Sequence, residues 1–524
     1  MQKNRVLIIG NHPLVGHVVK QYQDRGDQVD EYADHQEGID VNGYDEICIF
    51  PECHEAANQT DSESLALLET YATQYTRQRT SHPVCHLLLH SNVTLWLLQT
   101  LELYDDINEK FELYAFTLED QWAKNVFCGG GQLQTRYLPL DREPIAAQSH
   151  KTVHLVICGW SDMSESLAIH AALTAHYPNA VRDQRKRTRI TIIAAGDITA
   201  QAHAFIHRFQ HLFDHSYYRF IDCYEHRQPL FHRPQYSATR ADFVDIEWEF
   251  VSADIHTPVI QGKLDDWAAS REQLLTIALC NEQSDHNYNE AFALPSNVYE
   301  NSIPVLVTMQ RTGLMDKVRG TGRYANLYPI GMIDSGYDIS LPLLQMAKRL
   351  NFFYSCSYGQ QGTPTDMPVE QIEAAWSKVK SFSIRYSNIF NVMTIATKMR
   401  SLGHDESAWD KFYALNQEEI ETISAVEHNR WSVERLILGF RPPTDSERTA
   451  IRENIDSILQ AKADHTPLPA EDLKTVYKKQ KIHYDLCAYE ELGPDKTGQN
   501  VKVYDYDLTA CIPLIANSFK EQHR

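Results

Sequence analysis

One stretch decides the fold of this 524-residue chain: His154-Leu155-Val156-Ile157-Cys158-Gly159-Trp160-Ser161-Asp162-Met163-Ser164. An apolar run ends at a glycine, and a segment with helical spacing of apolar residues follows as far as His176. Apolar runs that alternate with such segments predict a parallel sheet covered by helices. The later runs are Ile190–Ala194, Val244–Phe250, Leu274–Cys280 and Ile303–Val307. Residues 149–345 are therefore predicted to form a Rossmann-like α/β domain.

The same pattern occurs earlier, within residues 1–148. Helical segments separate short apolar runs, as in a doubly wound sheet. The runs are Arg5–Ile9, Gln28–Tyr32, Glu46–Phe50, Val84–Leu89 and Phe111–Phe116. Two successive units of this kind amount to a coarse internal repeat. The sequence thus predicts an α/β protein with two tandem, doubly wound Rossmann-like domains.

Both strand-to-helix turns depart from the glycine pattern of dinucleotide-binding proteins. In that pattern, glycines let the backbone approach a pyrophosphate at the N-terminus of the following helix. The first turn has Gly10 and Gly16, and the second has Gly159 with Ser161 and Ser164 at the other two positions. These five residues are candidates for holding a nucleotide or NAD(P). The missing glycines favour a turn that is only structural.

The order of the two units resembles that of the nucleotide domains of TrkA-type potassium-uptake regulators. The likeness is most specific over His154–Asn179, which looks like the opening strand and helix of such a domain. The resemblance implies a TrkA-N-like Rossmann fold and a tendency to form homodimers. It implies no ligand, because the glycines have changed.

A predicted helix over Gln417–Phe440 is the most informative element of the C-terminal third. An apolar stripe runs from Val426 to Phe440, and a second stripe beside it is polar and aromatic. Residues 346–416 are predicted to be a helical connector, with helices over Val369–Lys380 and Tyr386–Ser401. The segment from Phe440 to Lys478 is predicted to be a long polar loop.

Residues 417–524 resemble the ryanodine-receptor-like (RyR) domain of bacterial proteins. The motifs that carry the resemblance, in order, are Glu427-His428-Asn429-Arg430-Trp431, Gly439-Phe440, Lys481-Ile482-His483-Tyr484-Asp485-Leu486, Tyr489-Glu490-Glu491-Leu492, and Asp505-Tyr506-Asp507 leading to Ile512-Pro513. Upstream, Arg385-Tyr386-Ser387-Asn388 resembles an element found in bacterial chains of this type. Tyr484 stands where the family has proline. The resemblance implies a small module, often attached to signalling proteins, that senses a nucleotide-derived ligand.

The residue types of this module suit such a ligand. Aromatic rings can stack on a base, guanidinium and ammonium groups can bind phosphate, and carboxylates can accept from amino or hydroxyl groups. The predicted ligand-binding residues are Glu427, His428, Arg430, Trp431, Glu434, Arg435, Lys481, His483, Tyr484 and Tyr489. Reversing the charges of Arg430 and Arg435 is expected to abolish binding and preserve the fold. In the alternative interpretation, pairs at i, i+3 and i, i+4 only tie the helices together.

Composition narrows the function. A formal net charge of −21 disfavours direct binding to nucleic acid. The ten cysteines include no C-x-x-C pair, and several lie in apolar runs, as is typical of a reducing compartment. No apolar run approaches the roughly 18 residues that span a membrane, and the early first strand leaves no room for a signal peptide. We therefore expect a cytoplasmic protein, with no metal site.

The sequence favours a non-enzymatic sensor or adaptor. A nucleotide-derived ligand would bind the RyR module, or a cleft between it and the second Rossmann unit, and an effector protein would receive the signal. The Rossmann units would serve as scaffold and dimerisation unit. The alternatives are an NAD(P)-dependent oxidoreductase, an enzyme that cleaves or modifies a nucleotide signal, and a regulator of ion transport. We assign no catalytic residue, since the sequence has no G-x-S-x-G elbow, P-loop or Cys–His signature.

Overall fold

The computed structural model describes residues 4–35, 38–52, 56–76, 82–101, 104–128, 137–224, 228–235, 240–358, 368–404 and 415–516. In these ranges the chain is an α/β protein with two Rossmann-like sheets and a helical C-terminal region. The predicted fold class is confirmed at this level. Among the helices described, none combines the length and apolar character needed to span a membrane.

The first sheet lies within residues 5–116. Its strands are β1 Arg5–Ile9, β2 Gln28–Tyr32, β3 Glu46–Ile49, β4 Val84–Leu88 and β5 Glu112–Phe116. They are all parallel, in the order β2-β1-β3-β4-β5. The connecting helices are α1 Leu14–Arg25, α2 Ala57–Gln74, α3 Asn92–Leu101 and α4 Leu118–Cys128. The five predicted strands are confirmed, because buried parallel strands produce the continuous apolar runs from which they were predicted.

The second sheet lies within residues 152–330. Its strands are β6 Thr152–Cys158, β7 Thr188–Ala194, β8 Tyr217–Asp222, β9 Leu230–His232, β10 Ile246–Ser252, β11 Gln273–Leu279, β12 Val305–Thr308 and β13 Leu327–Ile330. The order is β13-β12-β11-β6-β7-β10-β8-β9, and only the edge strand β9 pairs antiparallel. The sequence prediction missed β8, β9 and β13. Two of these three are short, and β8 is half-buried throughout, so none produces a strong apolar run.

The helices of the second unit are α5 Asp162–Thr174, α6 Pro178–Arg182, α7 Thr199–Arg208, α8 Gln210–Asp214, α9 Pro258–Ala269, α10 Ser284–Glu290, α11 Ser296–Glu300 and α12 Gly313–Arg319. The C-terminal region contains α13 Pro342–Tyr358, α14 Val369–Trp376, α15 Phe382–Met393, α16 Ile395–Ser401, α17 Gln417–Ile437, α18 Asp445–Ala463, α19 Leu473–Lys479 and α20 Lys502–Ala510. The predicted connector and C-terminal module each include residues outside the described ranges.

The predicted polar loop between Phe440 and Lys478 is wrong, because α18 and the start of α19 together occupy most of it. The Thr444 hydroxyl accepts the Glu447 amide, and the Glu447 carboxylate accepts the Thr444 amide, which forms a capping box. Ile451, Ile455 and Ile458 are buried on one face of the helix. Both features are visible in the sequence, but the many charged residues between them conceal the pattern.

The helix α17 connects all parts of the molecule. It packs against α15 of the connector, α20 of the C-terminal module, and α5, α6 and α8 of the second unit. The indole nitrogen of Trp96, in the first unit, donates to the Ile437 carbonyl at its end at 3.0 Å. Because so many elements surround this helix, most of its polar side chains are buried.

Candidate functional site

In the first strand-to-helix turn, atoms of the chain itself occupy the positions where a dinucleotide phosphate would bind. Gly10 has φ +119°, and a Cβ there would meet the Phe50 carbonyl oxygen at 2.0 Å. At the start of α1, His12 Nδ1 accepts the Leu14 amide at 3.1 Å. Burial, together with the neighbouring His90, lowers the pKa of His12 to about 4, so its ring is a neutral acceptor. The Leu14 amide, which a bound phosphate would need as a donor, is therefore already hydrogen-bonded to His12.

The second turn is closed in a similar way. Gly159 has φ +97°, and a Cβ there would lie 2.6 Å from the Asn281 amide nitrogen. The Ser161 hydroxyl accepts the Ser164 amide, and the Ser164 hydroxyl accepts the Ser161 amide, so both serines cap α5. Asp162 adds a carboxylate to the first turn of the helix, where it disfavours a second anion. The serines thus have a structural role at this turn.

The remaining candidate glycine of the turns, Gly16, lies inside α1. It is exposed, and a Cβ there would meet no atom within 4 Å. No close approach therefore requires glycine at this position. With both turns capped by their own side chains, the geometry favours a structural role for the five candidate residues.

A cleft of about 490 Å³ lies between the connector and the C-terminal module. The helices α13 and α15 form one wall, and α17, α19 and the segment leading into α20 form the other. Its volume is typical of small-molecule sites. The predicted residues that line it are His428, Arg430, Trp431, Arg435 and His483. Where the module meets the second Rossmann unit around Asp245 and Asn429, the described residues enclose a cavity of about 30 Å³, which has room for little more than a water molecule.

Two predicted acceptors, Glu427 and Glu434, lie behind the cleft wall in a buried network. Arg430 donates to Glu427 through Nε and Nη2 at 2.9 and 2.8 Å, and to Glu434 through Nη1 at 2.6 Å. Lys398 Nζ donates to Glu427 at 2.5 Å. Burial alone would raise the pKa of Glu427, but Arg430 and Lys398 lower it to about 2. This is the helix-tying network of the alternative interpretation.

Three further predicted residues do not line the cleft. Lys481 Nζ lies 4.5 Å from the centroid of the Phe440 ring. The Tyr484 ring packs beneath the Arg448 guanidinium, and the Tyr489 ring packs beneath a lysine of α20. Cation–π contacts of this kind stabilise the module. None of these three side chains belongs to the cleft.

Trp431 presents the aromatic surface of the cleft. Its ring stacks on His428, with centroids 5.6 Å apart, and meets the edge of His483 at 4.8 Å. His428 Nε2 donates to the Cys487 carbonyl at 2.9 Å, and Nδ1 lies 3.6 Å from Asp505. Burial lowers the pKa of His428, but Asp505 outweighs it and the net shift is upward. Because Nε2 donates to a carbonyl and Nδ1 faces a carboxylate that favours the protonated ring, His428 is held in place behind Trp431.

Three cations of the cleft lower the pKa of His483: Arg435, Lys474 and Lys478. Burial first, and then these charges, lower the pKa of His483 well below its usual range, so the ring is neutral. Lys474 is paired with Asp485 at 2.8 Å. Lys478 belongs to an exposed stretch of α19, yet local burial of its ammonium and the nearby Arg435 lower its pKa. The cations thus raise the potential locally around this neutral imidazole, while four aspartates, Asp472, Asp485, Asp495 and Asp505, also line the cleft.

The ammonium of Lys478 differs from the guanidinium of Arg435 in its bonding partners. Within the part of the chain that the structure describes, it makes no hydrogen bond and no ion pair. Arg435 in contrast donates to Ser387 on the opposite wall at 3.0 Å and lies 3.3 Å from Glu434. Lys478 is therefore the cation of this cleft best placed to bind an added anion.

Sequence reasoning missed the connector wall of the site. Ile384, Ser387, Asn388 and Asn391 follow one another at i, i+3, i+4 and i+7 on α15 and all line the cleft. The upstream motif contains Ser387 and Asn388, but nothing in the sequence assigns it to the site. A polar stripe on a helix that is otherwise mostly buried was the available signal.

Comparison with known proteins adds little to this geometry. No protein-family model matches the chain, and no curated protein matches it. Among solved structures, the apo-structure of D-lactate dehydrogenase from Escherichia coli matches with 10% sequence identity, over 70% of this chain and 100% of that chain. The TM-score of 0.20 is too low for the likeness to support any inference about fold or function.

Proposed function

We propose that this protein is a sensor or adaptor that binds a small, anionic, nucleotide-derived ligand in the cleft between its connector and its C-terminal module. One observation carries the proposal: Arg435, Lys474 and Lys478 line the same cleft as the half-buried Trp431. Indole rings stack on bases, and clustered cations hold phosphates. The cleft offers both kinds of contact to one ligand.

The assignment of the C-terminal module to the RyR family belongs to the same proposal. His428 and Trp431 come from one motif of that resemblance and His483 comes from another, and the Trp431 ring contacts both histidines at one wall of the cleft. The two TrkA-N-like Rossmann units then act as a scaffold and as the dimerisation unit. An effector protein in the cytoplasm would receive the signal.

A sensor must have two states that bind the ligand differently. Here the two walls of the cleft come from segments far apart in the chain, α15 and α19. The Arg435–Ser387 hydrogen bond already joins the walls at 3.0 Å. A ligand that contacts both walls would favour the arrangement in which they are close, and the connector would transmit the change to both Rossmann-like units.

Native mass spectrometry of the full chain from its own host would identify a co-purifying ligand. Calorimetric titration with AMP, ADP, ADP-ribose and NAD⁺ would then give dissociation constants for the protein and for Lys478→Gln. Lys479→Gln is the matched control, because Lys479 is the exposed neighbour of Lys478 and does not line the cleft.

We expect Lys478→Gln to weaken nucleotide binding by roughly 10-fold or more, as for loss of a charge-assisted contact, and Lys479→Gln to leave it unchanged. Trp431→Ala should weaken binding of the same nucleotides. Affinity that survives both cleft changes but falls in Gly16→Ala, with the fold intact, would move the function to the Rossmann-like units and disprove the proposal.

A further inference from the structure

A buried acceptor without a partner lies on the connector wall of the cleft. The side chain of Asn391 is 3% exposed and lines the cleft. Its Oδ1 atom makes no hydrogen bond within the described part of the chain. Leaving a buried polar atom unpaired costs about 1–3 kcal/mol, so such an atom beside a ligand cleft needs an explanation.

The orientation of the Asn391 amide follows from its other contact. Its Nδ2 atom donates to Glu427 Oε1 at 2.7 Å. Lys398 and Arg430 lower the pKa of Glu427 to about 2, so this carboxylate is ionised and can only accept. The amide nitrogen must therefore face Glu427, and the unpaired atom must be the oxygen.

The position of Asn391 is fixed as well as its orientation. Three donors, Arg430, Lys398 and the Asn391 amide, hold Glu427 in the buried network. Such a network positions its members closely, as specific recognition requires. An amide oxygen held in this way accepts a hydrogen bond from a ligand and repels a ligand carbonyl.

We propose that Asn391 Oδ1 is the specificity-determining acceptor of the cleft, and that it selects phosphorylated ligands that present a hydrogen-bond donor to the connector wall. The inference rests on the proposed function, since it requires a nucleotide-like ligand in the cleft. The donor is either an exocyclic amino group of a base or a ribose hydroxyl. The phosphate contacts come from α19 on the opposite wall, so the ligand spans the cleft.

Titrations of the full-length protein with AMP and three analogues would test this. IMP replaces the amino group of AMP with a carbonyl, while 2′-deoxy-AMP and 3′-deoxy-AMP each lack one hydroxyl. We expect the native protein to bind one of these analogues about 10- to 100-fold more weakly than AMP, the factor that corresponds to an unpaired buried acceptor. Discrimination against IMP identifies the amino group, and discrimination against a deoxy analogue identifies the hydroxyl.

The variant Asn391→Leu keeps the number and branching of the side-chain heavy atoms and removes the acceptor, together with the amide that donates to Glu427, so it should reduce this preference to less than about 3-fold. The matched control is Asn388→Leu on the same face of α15, whose amide donates to the Ile384 carbonyl of its own helix. Asn388→Leu should retain the preference, and circular dichroism would confirm that both variants fold.

Several results would overturn the inference. Equal affinity of the native protein for all four nucleotides would disprove it even if Asn391→Leu did not fold. A preference that Asn391→Leu leaves intact would disprove it too. In both cases binding that depends on Lys478 would leave the proposed function standing. Failure of the native protein to bind any of the four nucleotides would count against both.

Discussion

Arg430 belongs to the motif that indicated a ligand site, but its environment is that of a structural residue. Only 1% of its side chain is exposed, and it is held between Glu427 and Glu434. The sequence led us to expect that reversing its charge would preserve the fold. The structure predicts the opposite, because a reversed charge would place three carboxylates together in the interior. Arg435 also lines the cleft and is less buried, so it is the better residue for testing binding.

Replacing Arg430 with methionine should lower the free energy of unfolding by about 3–5 kcal/mol, since it leaves Glu427 and Glu434 buried without their shared partner. Urea denaturation followed by circular dichroism would measure the loss. Arg441→Met is the control: Arg441 pairs with Glu447 at 2.8 Å, but its side chain is 33% exposed, so about 1 kcal/mol or less is expected. Equal losses for the two variants would contradict the buried-network interpretation.

Individual site residues differed in how well the sequence could reveal them. Trp431, Arg435 and His483 were predicted because a motif placed chemically suitable residues together. Lys478 was not chosen, because a lysine in a basic stretch more often belongs to a solvated surface. The polar stripe of α15 did not single out Asn391, since the importance of this residue depends on Glu427, which lies 36 residues away in the sequence.

At the scale of elements, the two strand-to-helix turns share one construction. Gly10 and Gly159 both have positive φ and both pack against the backbone that follows a neighbouring strand. Glycine is required there for close approach between parts of the chain itself. The helices that follow are capped by His12 and by Ser161, so the usual anion site at each helix N-terminus is filled by side chains.

Two alanine substitutions in the first turn should have opposite effects. Gly16→Ala should stabilise the protein by about 0.5–1 kcal/mol, because alanine favours an exposed helical position with free space around it. Gly10→Ala should destabilise it by more than about 1–2 kcal/mol, since it adds left-handed strain to a steric clash. Thermal unfolding would measure both changes.

Nucleotide binding provides the check on the role of Gly16. If this glycine approached a pyrophosphate, Gly16→Ala would weaken the binding of NAD⁺. A stabilised variant with unchanged nucleotide affinity is the result that the capped turn predicts. A fall in NAD⁺ affinity of 10-fold or more, with the fold intact, would show that the turn binds a dinucleotide.

At the scale of the whole molecule, the cleft joins segments that are far apart in the chain. Saturation with a nucleotide that binds should slow amide hydrogen exchange in both Phe382–Met393 and Leu473–Lys479, because the ligand contacts both walls. Exchange in the strands of the first sheet should be unchanged. Mass spectrometry of the exchanged protein would locate the effect, and Lys478→Gln should reduce it at both sites.

Protection of only one wall would argue against coupling between the connector and the module. Protection confined to the turn after β1 would place the ligand in the first Rossmann-like unit. Dimerisation, the effector and the cytoplasmic location stay predictions at this scale. Light scattering of the purified chain, with and without nucleotide, would address the first of them.

The sequence by itself determined the two Rossmann-like sheets apart from β8, β9 and β13, and in the C-terminal region it determined α14 to α17 but not α13, α18 or α19. These depend on hydrophobic periodicity, which is a local property and survives without an alignment. It also indicated one wall of the candidate site, because the residues of α17 lie close together in the chain. Tertiary structure alone decided which polar residues of that helix are buried and which line a cleft. The reason is physical: Glu434 and Arg435 are neighbours in sequence, yet the first is buried and the second lines the cleft. Burial depends on the element that packs against each side chain, and α15 and α19 reach this helix only in the folded molecule.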